Sequence, residues 1–232
     1  MNDELLNEFQ DKLNYHFTNI GLLINSLTHS SYANENVKSG ITSNERLEFL
    51  GDSLLGMMVA LLIYNSKPDL TEGQMTKLRA ELVCEKSLAA LALKLDLGLY
   101  LILGRGEDSG GGRCRPSILS DAMEAVLAAI YLDGGYGAVE QFISSNFIEL
   151  MENSIRNSSD YKTLLQEIIQ LNHGHTLLYD IIAEHGPDHD KSFTVAVRLN
   201  DNIVGTGSGK SKKNAEQKAA QAAIEFMKHK YI

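Results

Sequence analysis

Residues 44–52, NERLEFLGD, place three carboxylates, Glu45, Glu48 and Asp52, at positions i, i+3 and i+7 of a helix, so that all three share one face. Glu48 and Asp52 are then like charges one turn apart, an arrangement that costs an isolated helix roughly 0.2–0.5 kcal/mol. Neither has a Lys or Arg four residues away to offset it. Leu47, Leu50, Leu54, Met58 and Leu61 recur at helical spacing and predict an opposite stripe that packs into a core. The acidic edge should therefore line a cleft. A hard divalent cation such as Mg²⁺, which binds carboxylate and phosphate oxygens, is the counter-charge this face lacks, with Mn²⁺ as a possible substitute.

A second acidic pair, Asp121 and Glu124, stands at i and i+3 in PSILSDAMEAVLAAIYLDGG, residues 116–135. Its helix carries Ala122, Ala125, Ala128 and Ala129, small enough to let another helix approach closely. Side-by-side packing of the two helices would converge Glu48, Asp52, Asp121 and Glu124 on one or two metal ions, a constellation suited to hydrolysis of a phosphodiester. The same D-x-x-E spacing also fits a capping box in a first helical turn, and the pair's own pattern leaves both readings open.

The 232 residues suffice for one large domain or two smaller ones, and the 44% hydrophobic content is that of an ordinary globular protein. The start, MNDELLNEFQDKL, has no cationic apolar block, and no uncharged apolar run approaches 18 residues; the expectation is a cytoplasmic protein without a membrane partner. Cys84 and Cys114 have neither disulfide-framework nor metal spacing, and Cys84 is expected to fill core. Charge divides unevenly. Residues 1–156 hold 21 Asp+Glu against 12 Lys+Arg, and residues 157–232 hold 9 against 9, with six lysines beyond residue 204. An acidic body with a basic end predicts two modules with different tasks.

From about Leu5 to Arg156 the dominant apolar pattern is helical, with turn signals at 18–21 and 67–69. The polar stretch 153–160, NSIRNSSD, reads as a linker, with Asp160 as a candidate cap for the helix that follows. Beyond it the period changes: a helix over 161–171, strands over 178–184, 192–199 and 203–206 with a turn at Asp201-Asn202, and a long helix from Ser211 to Lys228 that Ser211 can cap. The glycines of 104–112 predict a mobile loop beside the cleft. GTGSGKS at 205–211 is not a nucleotide-binding loop, because the glycine required five residues before Gly209 is Val204; no nucleotide cofactor is expected.

NERLEFLGDSLLG at 44–56 resembles the signature of the ribonuclease III family. LTHSSYANE at 27–35, TEGQMTKLRAELV at 71–83, LGRGEDSGGGR at 103–113 and the 116–135 segment stand in that family's order. The resemblance implies an all-α endonuclease domain over 1–153 that forms a homodimer, a linker over 154–160, and a small α+β domain over 161–230. It implies Mg²⁺ ligands at Glu48, Asp121 and Glu124, the most directly catalytic positions at Asp52 and Glu124, and further cleft acids at Glu45, Glu72 and Glu107.

The α-β-β-β-α tail is similar to the double-stranded RNA-binding domain, through YKTLLQEIIQ at 161–170, GPDHDK at 186–191 and GKSKKNAEQKAAQAAI at 209–224. That likeness implies RNA contacts from Thr163, Gln166, Glu167 and His189 in the minor groove, and from Lys210, Lys212 and Lys213 on phosphates. Lysines at a helix start add to a site already favourable for anions. Together the two resemblances imply an Mg²⁺-dependent nuclease that cuts double-stranded RNA to staggered 5′-phosphate and 3′-hydroxyl ends, in ribosomal RNA precursors and messenger RNA. The alternative is a non-catalytic double-stranded RNA-binding regulator, which the intact carboxylates argue against.

Overall fold

The computed structural model describes residues 3–158, 161–170, 176–187 and 191–231, among which lie eleven α-helices and three strands; the side chains of 156–158, 163, 167, 170 and 228–231 lie outside that description. The chain divides between Asn157 and Ser158 into two units. The first holds α1 (Asp3–Leu13), α2 (Ile20–Ser26), α3 (Ser30–Glu35), α4 (Glu45–Ser66), α5 (Glu72–Leu82), α6 (Glu85–Lys94), α7 (Leu97–Tyr100), α8 (Arg105–Ser109) and α9 (Pro116–Ser158). The second holds α10 (Tyr161–Gln170), β1 (Leu177–His185), β2 (Ser192–Leu199), β3 (Asn202–Gly209) and α11 (Lys212–Tyr231).

The first core forms where apolar stripes meet. Leu6, Phe9 and Leu13 of α1, Leu54, Leu55, Met58, Val59 and Ile63 of α4, and Leu119, Met123, Val126 and Ile130 of α9 are all buried in it. Phe9 stacks on Tyr100 with ring centroids 4.6 Å apart. The buried stripe of α4 runs through 54, 55, 58, 59 and 63, so Leu61, expected in the core, is instead 37% exposed. By length and composition alone α4 could cross a membrane, yet this stripe packs inside the protein.

Gly135, at φ 72° and ψ −164°, breaks α9 into two helical arms. The later arm continues through the stretch read as a linker, because Met151 and Ile155, one turn apart, pack on the core and hold the polar residues helical. Asp160 lies outside the described residues. The glycine-rich segment 104–112 is helical in α8 and leads into a 3₁₀ turn at Gly112–Cys114. Arg113 ties it down by donating to both Asp108 carboxylate oxygens, at 2.7 and 2.9 Å, and to the Gly98 and Leu101 carbonyls. Cys84 is exposed just before α6, a correction to the core-filler expectation: α6 turns Leu88, Leu91 and Ala92 inward and leaves the capping residue ahead of it outside.

In the second unit the antiparallel sheet has strand order β1-β2-β3 and α11 lies across it. Gly205, Gly207 and Gly209 alternate along β3 beneath that helix; a Cβ at Gly207 would stand 2.3 Å from the Ala219 backbone nitrogen. The turn between β2 and β3 is Asn200-Asp201, one residue earlier than expected, since Leu199 pairs with Asn202 and Asn200 takes the left-handed conformation (φ 54°) that asparagine tolerates.

Candidate active site and nucleic-acid interface

Gly51 on α4 and Glu124 on α9 touch through their backbones: a Cβ at Gly51 would lie 2.0 Å from the Glu124 carbonyl oxygen. Around this contact Leu47 packs on Ala125, Ala128 and Ala129, each fully buried. The small residues on both helices set the approach. Glu48 and Asp52 flank Gly51, while Asp121 and Glu124 lie on the facing turn of α9. That helix begins at Pro116, so Asp121 and Glu124 stand beyond its first turn and cannot serve as its capping box.

Like charges from the two helices bear on Glu48 and Glu124. Burial, then the charges of Asp52, Asp121 and Glu48, push the Glu124 carboxyl up to about 7. Glu48 is raised by burial and by Asp121, Glu45 and Asp52. Asp121 is raised by burial, partly offset by the Ser120 hydroxyl; Glu85 raises it further and His29 lowers it. Like charges gathered at a partly buried helix contact are what a bound cation relieves. The donor set, all hard carboxylate oxygen, suits Mg²⁺ or Mn²⁺. Among the described residues no three His, Cys, Asp or Glu side chains form a ready-made coordination group.

The secondary acids occupy different places. Glu45 is exposed, accepts the Ser43 hydroxyl at 2.6 Å and, as a like charge, helps to raise the Glu48 carboxyl. Glu72 opens α5, where Thr71 and Gln74 form a capping box, and accepts the Thr76 hydroxyl at 3.0 Å. Glu107 folds against Gly112 and pairs with Arg115. Sequence reasoning assigned no role to Glu85 or His29. His29 is brought to the site by non-local backbone bonds: its N–H donates to the Ile102 carbonyl at 3.0 Å, and Asn44 N–H donates to Thr28 at 2.8 Å. Its Nδ1 accepts the Ser31 N–H at 3.2 Å, which caps α3.

In the second unit Gln166 is exposed on α10, and Lys210, Lys212 and Lys213 are exposed at the start of α11. Ser211 caps that helix by accepting the Asn214 N–H at 3.2 Å. Lys212 Nζ lies 3.9 Å from Glu184 and 5.5 Å from the Phe193 ring centroid, which stations it at the end of the β1–β2 pairing. His189 and the side chains of Thr163 and Glu167 lie outside the described residues.

Comparison with known proteins matches a Ribonuclease-III-like family model to residues 19–151 and a double-stranded RNA binding motif to residues 161–227. The chain is 47% identical over 222 residues to the Ribonuclease 3 of Caldanaerobacter subterraneus subsp. tengcongensis, covering 95% of this chain and 97% of that one. It is 48% identical to that of Natranaerobius thermophilus, covering 94% of each. Among solved structures, a nuclease domain of ribonuclease III from Campylobacter jejuni superposes with a TM-score of 0.55 at 39% identity, over 60% of this chain and 96% of that one. The description of that domain speaks of flexibility in a region involved in dimer formation.

Proposed function

Since the chain belongs to the ribonuclease III family and is an endoribonuclease for double-stranded RNA, we propose that it works with Mg²⁺, or Mn²⁺ in its place, through the four carboxylates at the α4–α9 contact. In this reading Glu48, Asp121 and Glu124 hold the ion, Asp52 and Glu124 act most directly in catalysis, and Glu45 tunes the charge at the cleft edge. The ion supplies a Lewis acid for the phosphodiester and a counter-charge for the cluster. A water attacks phosphorus and the bond to the 3′ oxygen breaks, leaving a 5′-phosphate and a 3′-hydroxyl. The attacking water gives up a proton and the departing 3′ oxygen takes one; with the ion bound the Glu124 carboxyl is held ionised, because the ion offsets the burial and like charges that raise it. The observation that carries the proposal is the backbone contact of α4 and α9 at Gly51 and Glu124, which brings together like charges that, with burial, raise Glu48 and Glu124.

The chain acts as a homodimer in this proposal, so that two sites face one duplex and the ends are staggered. Phe49 (78% exposed), Met57, Leu61 and Tyr64 (70%) form an apolar stripe along the outer side of α4. Beside it Met57, Leu61 and Tyr64 of α4 border a groove of about 360 Å³ with Met75 and Arg79 of α5. A stripe of this kind on a core helix is a candidate subunit contact. The tail reads duplex shape, with Gln166 in the minor groove and Lys210, Lys212 and Lys213 on phosphates. Ribosomal RNA precursors and messenger RNA in the cytoplasm are the proposed substrates. The test is competition: unlabelled duplex RNA should inhibit cleavage of a labelled duplex where equal duplex DNA does not, and equal inhibition by DNA would contradict recognition of the 2′-hydroxyl.

A further inference from the structure

Lys162 is the second residue of α10 and Glu216 lies in the first turns of α11, and their side chains meet with Nζ 2.7 Å from Oε2. Two further contacts hold the same lysine. Its backbone N–H donates to Gln217 Oε1 at 3.3 Å, and its ammonium sits 4.6 Å from the centroid of the Tyr179 ring on β1. Both partners are half-buried, less screened than a typical surface pair. Lys162 is one turn from Gln166 on the same face of α10, and Glu216 is one turn from Lys212 and Lys213 on α11. The pair thus joins the two helices one turn behind each group assigned to RNA.

We propose that the Lys162–Glu216 pair is a positioning device for duplex recognition, holding the minor-groove face of α10 at a fixed distance from the lysine-bearing start of α11. Resting on the RNA-binding reading of the tail, the inference adds a requirement that charge alone opposes. A duplex presents minor-groove edges and phosphates at a set spacing, so a reader of shape needs its two contact elements in rigid register. A glutamate beside a phosphate clamp otherwise only repels the ligand. Net charge says that removing Glu216 tightens RNA binding; positioning says that it weakens it.

The full-length protein is titrated with an RNA duplex of about 16 bp in chelator, so that no cutting occurs, and the melting of the second unit is followed alongside. Glu216→Gln should bind roughly three- to tenfold more weakly than wild type despite its gain of one positive charge. Lys162→Gln should lose a similar factor, and Lys162→Glu combined with Glu216→Lys should return to within about twofold of wild type. In cleavage with Mg²⁺ restored, the single variants should raise KM with kcat unchanged, which loss of folded protein would not do. Equal or tighter binding by Glu216→Gln, or a double variant as weak as the singles, would overturn the inference while leaving RNA binding intact. Wild type that fails to bind the duplex would overturn the RNA-binding reading and the inference with it.

Discussion

The backbone of Gly51 rests against the backbone of Glu124, with room for a hydrogen but not for a methyl group, which would come within 2.0 Å of the Glu124 carbonyl oxygen. The acidic cluster therefore depends on an absent side chain. Gly51→Ala must push α4 and α9 apart. The expected outcome is a destabilisation of about 1–3 kcal/mol and a loss of cleavage larger than the loss of folded protein, measured by thermal melting beside initial rates.

Glu124 titrates at about 7 because burial and three like charges favour its neutral form. Its folded value is above the ordinary one, so between about 4.5 and 7 the folded state holds more protons than the unfolded state and metal-free stability falls as pH rises. Glu124→Gln should flatten that fall, leaving the metal-free variant relatively more stable at pH 8 than at pH 5; denaturant titrations at the two values measure it. Affinity for Mg²⁺ should rise with pH through the same window, since the ion competes with the proton.

Asp133, just before the break in α9, gathers the turn between α1 and α2: it accepts the Tyr15 hydroxyl and the Thr18 and Asn19 N–H groups at 2.7–2.8 Å. Despite burial, which would raise it, the bonds from Asn19, Tyr15 and Thr18 hold its carboxyl below the usual range. This contribution is present above the unfolded value and is lost as pH falls through the folded one. Asp133→Asn should destabilise the first unit by about 1–3 kcal/mol at pH 7, and the difference from wild type should shrink in acid.

Lys210 and Lys213 should act through phosphate alone. Each alanine substitution should reduce the slope of log affinity against log salt by about one, whereas Gln166→Ala should lower affinity at every salt concentration and leave the slope unchanged.

If the outer stripe of α4 is the subunit contact, Tyr64→Glu with Met57→Glu should shift the protein from dimer to monomer in sedimentation. Both side chains are exposed, so the fold of the protomer should survive.

Much of the architecture is written in local pattern. The i, i+3, i+7 carboxylates and the alanine stripe of α9 already describe two helices in close approach, and the change of period after residue 160 marks the second unit. What local pattern missed is non-local. Leu61 matches the helical period of a core residue, but the buried stripe passes through Ile63. Ile155 turned an apparently polar linker into helix by reaching the core. Glu85 and His29 act on Asp121 from other elements, and for His29 the route is a bridge between Thr28 and Ile102, distant in sequence. Pro116 did hold a usable signal: a proline suits the first turn of a helix, and starting α9 there excludes the capping-box reading of Asp121 and Glu124.

The most direct measurement incubates a long RNA duplex with wild type and with Glu124→Gln, with and without Mg²⁺, and resolves products and complexes on gels. The expected result is Mg²⁺-dependent cutting by wild type alone, with the duplex still bound by the variant. Cutting by the variant at the wild-type rate, or binding without cutting by either protein, would contradict it.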